Sequence, residues 1–264
     1  MSAESLRVAE AIDAAGRERA GALIGYLPVG FPTLDESVDA AVALLESGAD
    51  VLELGLPYSD PVMDGPVIQQ ATITALENGF KVPQVFDAIS RIRARVDKPV
   101  LIMSYWNLIV QYGPDAFARD LRSAGGSGCI TPDLVPDEAD QWLRASDEHA
   151  IDRVFLAAPT SSTERLQTIT SLSRGFVYAV STMGTTGLRD DVDAAARGVV
   201  DRLHGVGCER ACVGIGISNA QQVAEVLEYA EGAIVGSALV RRLGEDGVAG
   251  LKRIAADLRK GTLA

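Results

Sequence analysis

Apolar residues recur along the chain in two alternating patterns. Short runs that are apolar on both faces lie at 21–27 (GALIGYL), 50–54 (DVLEL), 99–104 (PVLIMS) and 127–131 (SGCIT). Four more follow at 151–157 (IDRVFLA), 176–180 (FVYAV), 211–215 (ACVGI) and 232–235 (GAIV). Their length, β-branched content and lack of a polar face predict buried parallel strands. Between them the apolar spacing changes to a helical one. In 34–47, Val38, Val42 and Leu45 recur at intervals of four and three, Asp35, Glu36 and Asp39 stand near the start, and Gly48 follows the end. Similar spacing predicts helices at 67–78, 83–96, 115–124, 137–148, 163–172, 191–204, 219–229 and 247–259. A further amphipathic helix is predicted at 4–16, ahead of the first strand, with Leu6, Ala9 and Ile12 on one face.

Eight strands, each followed by a helix, predict an α/β chain folded as a (β/α)₈ TIM barrel. Parallel strands need crossovers, and a parallel sheet must be covered on both faces. The expected embellishments are the extra N-terminal helix and an extra helix in the second crossover, where 67–78 and 83–96 both fall. The 264 residues suit such a barrel, which takes roughly 250. No linker or low-complexity stretch interrupts the chain, so 1–264 reads as a single domain. An open doubly wound sheet is the rival. It would carry a G-x-G-x-x-G turn after the first strand, where this chain has only Gly25 and Gly30.

Charge narrows the partners. The chain has 24 basic and 36 acidic residues, a net charge of −12. Nucleic acid and anionic membrane are thereby disfavoured, since both need basic surface. A phosphorylated metabolite remains open, because backbone N–H groups can hold it locally. No apolar run reaches the roughly 18 residues of a membrane span, and the N-terminus lacks the apolar segment of a signal peptide. A cytoplasmic protein is expected. Cys129, Cys208 and Cys212 lack the spacing of a zinc site and read as core-filling thiols, so no metal is expected. His149 and His204 lie near predicted helix ends, which argues against histidine catalysis.

The barrel reading decides where chemistry can be: at the carboxyl ends of the strands and in the loops that follow. There the stretch 51–66, VLELGLPYSDPVMDGP, sets Glu53 inside an apolar strand and Asp60 and Asp64 in the loop beyond it. A buried carboxylate costs several kcal/mol unless paired or protonated. Two readings fit. Glu53 and a loop acid can do acid–base work on a small substrate. Alternatively, Glu53 pairs with a lysine or arginine in a packed barrel, and Asp60 and Asp64 form turns. Tyr105-Trp106-Asn107 follow the third strand and Tyr178 lies in the sixth, which makes Tyr105 and Tyr178 candidate substrate contacts. Three glycine clusters close the chain's last βα loops: 183–187 (MGTTG), 214–218 (GIGIS) and Gly236-Ser237. Glycines let a backbone approach a ligand, and barrels often hold phosphate after strands 7 and 8. The stretch 182–193, TMGTTGLRDDVD, has almost no apolar anchor and reads as a lid beside that site.

These residues together resemble the tryptophan synthase alpha subunit family over essentially the whole chain. The resemblance is carried by GYLPVGFPT (25–33), ELGLPYSDPVMDGPVIQ (53–69), MSYWN (103–107), SRGFVYAVSTMGTTG (173–187), VGIGIS (213–218) and AIVGSALV (233–240). It implies a lyase that splits indole-3-glycerol phosphate into indole and D-glyceraldehyde 3-phosphate by a retro-aldol reaction in L-tryptophan biosynthesis. It implies Glu53 as general acid/base, Asp64 as the carboxylate facing the indole N1–H, and Tyr178 near the substrate. Gly184, Gly216, Gly236 and Ser237 match its phosphate loops. It implies no cofactor in this subunit and a partner beta subunit carrying pyridoxal phosphate, in an alpha2beta2 heterotetramer. Two departures from the family pattern stand out: Asp133-Leu134-Val135-Pro136, where many members have D-L-P in a beta-contacting turn, and Met183 before Gly184. The rivals are another phosphate-binding barrel, such as an indole-3-glycerol-phosphate synthase or a sugar-phosphate isomerase, and a non-catalytic partner of a beta subunit. The synthase would need a lysine at a strand's carboxyl end, and none is predicted there.

Overall fold

The structure is a computed structural model that describes residues 7–180, 189–214 and 216–263. Its strands are β1 (Ala22–Pro28), β2 (Val51–Gly55), β3 (Val100–Met103), β4 (Gly128–Ile130), β5 (Asp152–Val154), β6 (Leu156–Ala157), β7 (Val177–Ala179), β8 (Ala211–Val213) and β9 (Gly232–Val235). They pair in parallel in the order β5-β4-β3-β2-β1-β9-β8-β7-β6. The two ends of that order are consecutive in the chain, separated by Phe155 alone. The predicted fifth strand is therefore one stave broken in two: its first half pairs with β4 and its second with β7. Through it the ring closes, and the nine segments make the eight staves expected.

Alternation along the staves divides the apolar residues between two cores. Ile24, Val51, Leu101, Ile130, Val154, Cys212 and Ile234 point inward and pack together. The intervening positions, among them Leu23, Leu52, Leu54, Ile102, Val177, Val213 and Val235, pack outward under the helices. Each fully buried aliphatic side chain contributes roughly 1.5–3 kcal/mol. The interior is closed from below by the N-terminal helix Val8–Glu18, whose Val8, Ile12 and Ala15 join the inner core. Two contacts fix that plug at the amino ends of the staves. Val8 N–H donates to Asp152 Oδ2 at 3.1 Å, and Arg210 grips Asp13 with two bonds of 2.7 Å. With the amino end sealed, the opening lies at the carboxyl end.

Most predicted elements shift by a residue or two. The helix expected at 4–16 runs Val8–Glu18 in the described part, and that at 83–96 is Gln84–Arg93. The one predicted at 137–148 becomes a short 3₁₀ turn, Pro136–Glu138, followed by the helix Asp140–Glu148. Two differences are larger. Trp106–Tyr112, expected as loop, is a helix, and the helix read at 247–259 extends back to Ser237, the helix start expected after Gly236, with a break at Gly247 (φ 62°). The chain from 189 to 193, expected in the lid, belongs to the helix Arg189–Gly205, while 182–188 lie outside the described residues. Among the described residues no helix is long and apolar enough to cross a membrane, and the three cysteines are buried and unpaired.

Candidate active site

Glu53 sits on β2 facing the barrel interior and is 3% exposed. The β1–β2 register sets it directly beside Tyr26, and the β2–β3 register sets it beside Leu101. Wedged between an aromatic ring and an aliphatic chain, the carboxyl has no cation to pair with among the described residues, and its Oε2 has no hydrogen-bond partner. Burial, reinforced by the charge of Asp64, pushes its pKa up to about 8. Among the described residues, the structural ion pair that the sequence left open does not form. Glu53 is a neutral acid near pH 7.

The loop after β2 separates the two loop acids. Asp60 is exposed and accepts a hydrogen bond from Ser59 Oγ at 2.5 Å, as a turn residue does. Asp64 is half-buried, and burial raises its pKa to about 6, against the pull of a hydrogen bond from the Tyr105 hydroxyl. A carboxyl raised to about 6 is still largely ionised at pH 7. The pair is thus split into an acid that keeps its proton and a carboxylate that has lost it, which is how environment assigns roles to paired carboxyls.

Tyr105 is the hub that holds this loop. Its Oη accepts from Met63 N–H at 3.0 Å, and its ring packs 5.2 Å from that of Tyr58. Asn107 Nδ2 donates to Tyr58 Oη at 3.3 Å, and Gln69 Nε2 donates to the Asp64 carbonyl at 2.7 Å. The next loop is tied in by Trp106 N–H, which donates to Asp133 Oδ1 at 2.8 Å. The loops after β2, β3 and β4 therefore form one connected rim. Asp133, noted in the sequence only for its departure from the family turn, anchors the start of the unforeseen helix Trp106–Tyr112.

The other wall is built from tyrosine and glycine. Tyr178 lies on β7, and burial and the Glu53 charge together raise its pKa. A Cβ on Gly214, just past β8, would overlap the Tyr178 hydroxyl, so that position has room only for glycine. Gly216 follows with φ 73°, and the succeeding helix starts at Ala220, capped by Asn219. Gly236 caps the helix that opens at Ser237, and both Leu239 and Val240 N–H return to its carbonyl, at 2.9 and 3.1 Å. The N–H groups of Ser237 and Ala238, which have no intrahelical acceptor, stand just past the carboxyl end of β9, a place that favours an anion. Gly184 lies outside the described residues, as does Ile215.

One member of the site escaped the sequence reading. Tyr26 on β1 was read as part of a predicted strand and of the stretch 25–33, with no role of its own; it is 5% exposed, and its hydroxyl reaches over Gly55, where a Cβ would overlap it. Burial and the charges of Asp64, Glu53, Tyr105 and Tyr178 all disfavour its ionisation. Those four groups therefore lie near enough to Tyr26 for their charges to act on it. A neutral acid, an ionised carboxylate and an anion-favouring helix start at one mouth suit proton transfer to a small phosphorylated substrate.

Comparison with known proteins agrees with that chemistry. The family model described as tryptophan synthase alpha chain matches residues 12–260. A tryptophan synthase alpha chain from Leifsonia xyli subsp. xyli is 62% identical over 257 residues, covering 97% of this chain and 98% of that one. The structure of a Mycobacterium tuberculosis tryptophan synthase superposes with a TM-score of 0.93 at 48% identity, covering 99% of this chain and 100% of the other. A tryptophan synthase subunit alpha from Legionella pneumophila gives 0.89 at 30% identity, with coverage of 97% and 98%. With the barrel, the acid pair at its mouth and a match along nearly its whole length, this chain belongs to the tryptophan synthase alpha chain family.

Proposed function

We propose that the chain catalyses the alpha reaction of tryptophan biosynthesis, the retro-aldol cleavage of indole-3-glycerol phosphate, with Glu53 as general acid/base and Asp64 as the electrostatic partner. The observation that carries the assignment is the buried, unpaired carboxyl of Glu53, held protonated near neutral pH beside an ionised Asp64.

Cleavage of the carbon–carbon bond needs indole to leave as a neutral molecule, so C3 must first gain a proton. Glu53 delivers it and becomes a carboxylate. The positive charge that then forms at N1 is met by Asp64 through the N1–H. Glu53 next removes the proton from the side-chain hydroxyl. That oxygen's electron pair forms the aldehyde, and the breaking C–C bond returns its electrons to the ring. Glu53 ends protonated, ready for another cycle. Tyr105 and Tyr178 line the substrate, and the backbone at Gly184, Gly216, Gly236 and Ser237 receives the phosphate. No cofactor takes part in these steps.

A beta subunit carrying pyridoxal phosphate is the proposed partner, in an alpha2beta2 assembly in the cytoplasm. In support, Val62, Val110 and Val135 are exposed in the segments that follow β2, β3 and β4, at the open end of the barrel. Indole released there would pass directly to such a partner. The rival synthase reading loses ground because none of the nine strands contains a lysine. Purified chain, given indole-3-glycerol phosphate with and without a beta subunit, should release indole in both cases, and faster with the partner. No indole in either case would overturn the assignment.

A further inference from the structure

Glu53 must exist as a buried carboxylate between its two proton transfers, and nothing described so far stabilises it in that state. Its Oε2 is buried without a partner among the described residues. This orphaned oxygen costs little while the group is neutral but a great deal once it is charged. Three observations place one hydroxyl close to the carboxyl, though it is not bonded to Oε2 in the resting state. Tyr26 is the cross-strand neighbour of Glu53 in the β1–β2 register, so both side chains leave the same face of adjacent parallel strands. The Tyr26 hydroxyl lies over Gly55, the next inward position after Glu53, and occupies the space a Cβ would need. Gly236 lies beside the base of the same side chain, where even an added Cβ would meet Tyr26 Cβ and Cδ1 at 3.5 Å.

We propose that the Tyr26 hydroxyl is a positioning group for the reaction: it donates to the Glu53 carboxylate formed when the proton leaves for C3, and holds that carboxylate until the hydroxyl proton is taken up. The idea rests on the assignment of Glu53 as general acid/base. In the resting enzyme the donor has little to gain, because the neutral acid does not call for it. The hydrogen bond strengthens as charge develops, so it lowers the barrier rather than merely tightening binding. Tyr26 keeps its own proton throughout. The groups that face it, Glu53 and Asp64 from β2 and its loop, Tyr105 after β3 and Tyr178 on β7, all raise its pKa together with burial.

Tyr26→Phe removes one oxygen and leaves the ring in place. For a lost hydrogen bond to a charged group, kcat should fall roughly 10- to 100-fold with little change in KM. A second readout separates this from simple packing. A donor to the charged form lowers a carboxyl pKa, so its removal raises the pKa of Glu53. The alkaline limb of the pH–rate profile should therefore move to higher pH. An unchanged kcat, a fall in kcat with the limb unmoved, or a limb moved to lower pH would each overturn the proposal. So would a limb that moves upward in Tyr178→Phe but not in Tyr26→Phe, since Tyr178 reaches Glu53 from the opposite wall. Glu53→Gln is assayed alongside. If it retains turnover, the assignment of Glu53 itself fails; if only the Tyr26 effects are absent, that assignment stands and this inference alone is lost.

Discussion

Glu53→Gln is expected to reduce indole release by roughly 10²–10⁴-fold, the loss typical of a removed general acid, while the thermal midpoint stays near that of the parent chain. The two effects separate because of the state in which Glu53 is buried. A neutral carboxyl between Tyr26 and Leu101 is replaced by a neutral amide of the same shape, so the barrel has no ion pair to lose. What disappears is the transferable proton. Glu53→Asp should be crippled as well, because shortening by about one methylene withdraws the acid by more than catalysis tolerates. Near-normal turnover in Glu53→Gln would show that another group protonates the indole ring.

Asp64→Asn is expected to lower turnover by roughly 10²–10³-fold, the scale of a removed electrostatic stabiliser, while glycerol phosphate binds almost as before. Asparagine keeps the size of the side chain but not the charge that meets N1. Its pH profile should also change in two definite ways. In the proposed reaction Asp64 acts as the carboxylate, and its pKa is raised to about 6, so the parent enzyme should lose kcat/KM as pH falls through that region. That acid limb should vanish in Asp64→Asn. Glu53 must be protonated to act, and part of its upward shift comes from Asp64, so the alkaline limb should move to lower pH once that charge is gone. An equal loss of glycerol phosphate affinity, or an acid limb that persists, would make Asp64 a shaper of the pocket and not a partner in the chemistry.

The barrel was legible because its signal is repeated. Eight apolar runs alternating with helical spacing leave few topologies, and small errors at individual ends do not change the count. The break at Phe155 was not legible, since both halves of that stave are equally strand-like and only pairing to different neighbours divides them. Trp106–Tyr112 was missed because seven residues with one buried apolar position, Ile109, offer no periodicity to detect. The spacing read at 247–259 covers only the second half of the last helix, because the backbone leaves the helical conformation at Gly247 and divides the pattern there.

Within the site, an acid inside an apolar strand is conspicuous in any sequence, so Glu53 stood out at once. Spacing alone could not tell Asp60 from Asp64, and only the resemblance pointed to Asp64, because burial decides between them and burial belongs to the folded loop held by Tyr105. Tyr26 lay inside the stretch GYLPVGFPT that carried the resemblance, but nothing in the sequence singled it out. An aromatic residue in a buried strand ordinarily means core, and its placement beside Glu53 and over Gly55 exists only once β1 and β2 are in register. The one hint was Gly55 itself, a glycine at the end of a strand whose missing side chain makes room for a hydroxyl from the next strand.

The central claim is that the fold keeps Glu53 protonated near neutral pH, and the carboxyl carbon of Glu53 reports that directly. With the protein labelled with ¹³C at the glutamate side-chain carboxyl, the Glu53 resonance can be assigned by its absence in Glu53→Gln and followed by NMR as pH is raised. A midpoint at about 8 is the result expected. A midpoint near the ordinary glutamate value of about 4.3 would mean that Glu53 is a carboxylate at the pH of the reaction, which would contradict its assignment as the proton donor.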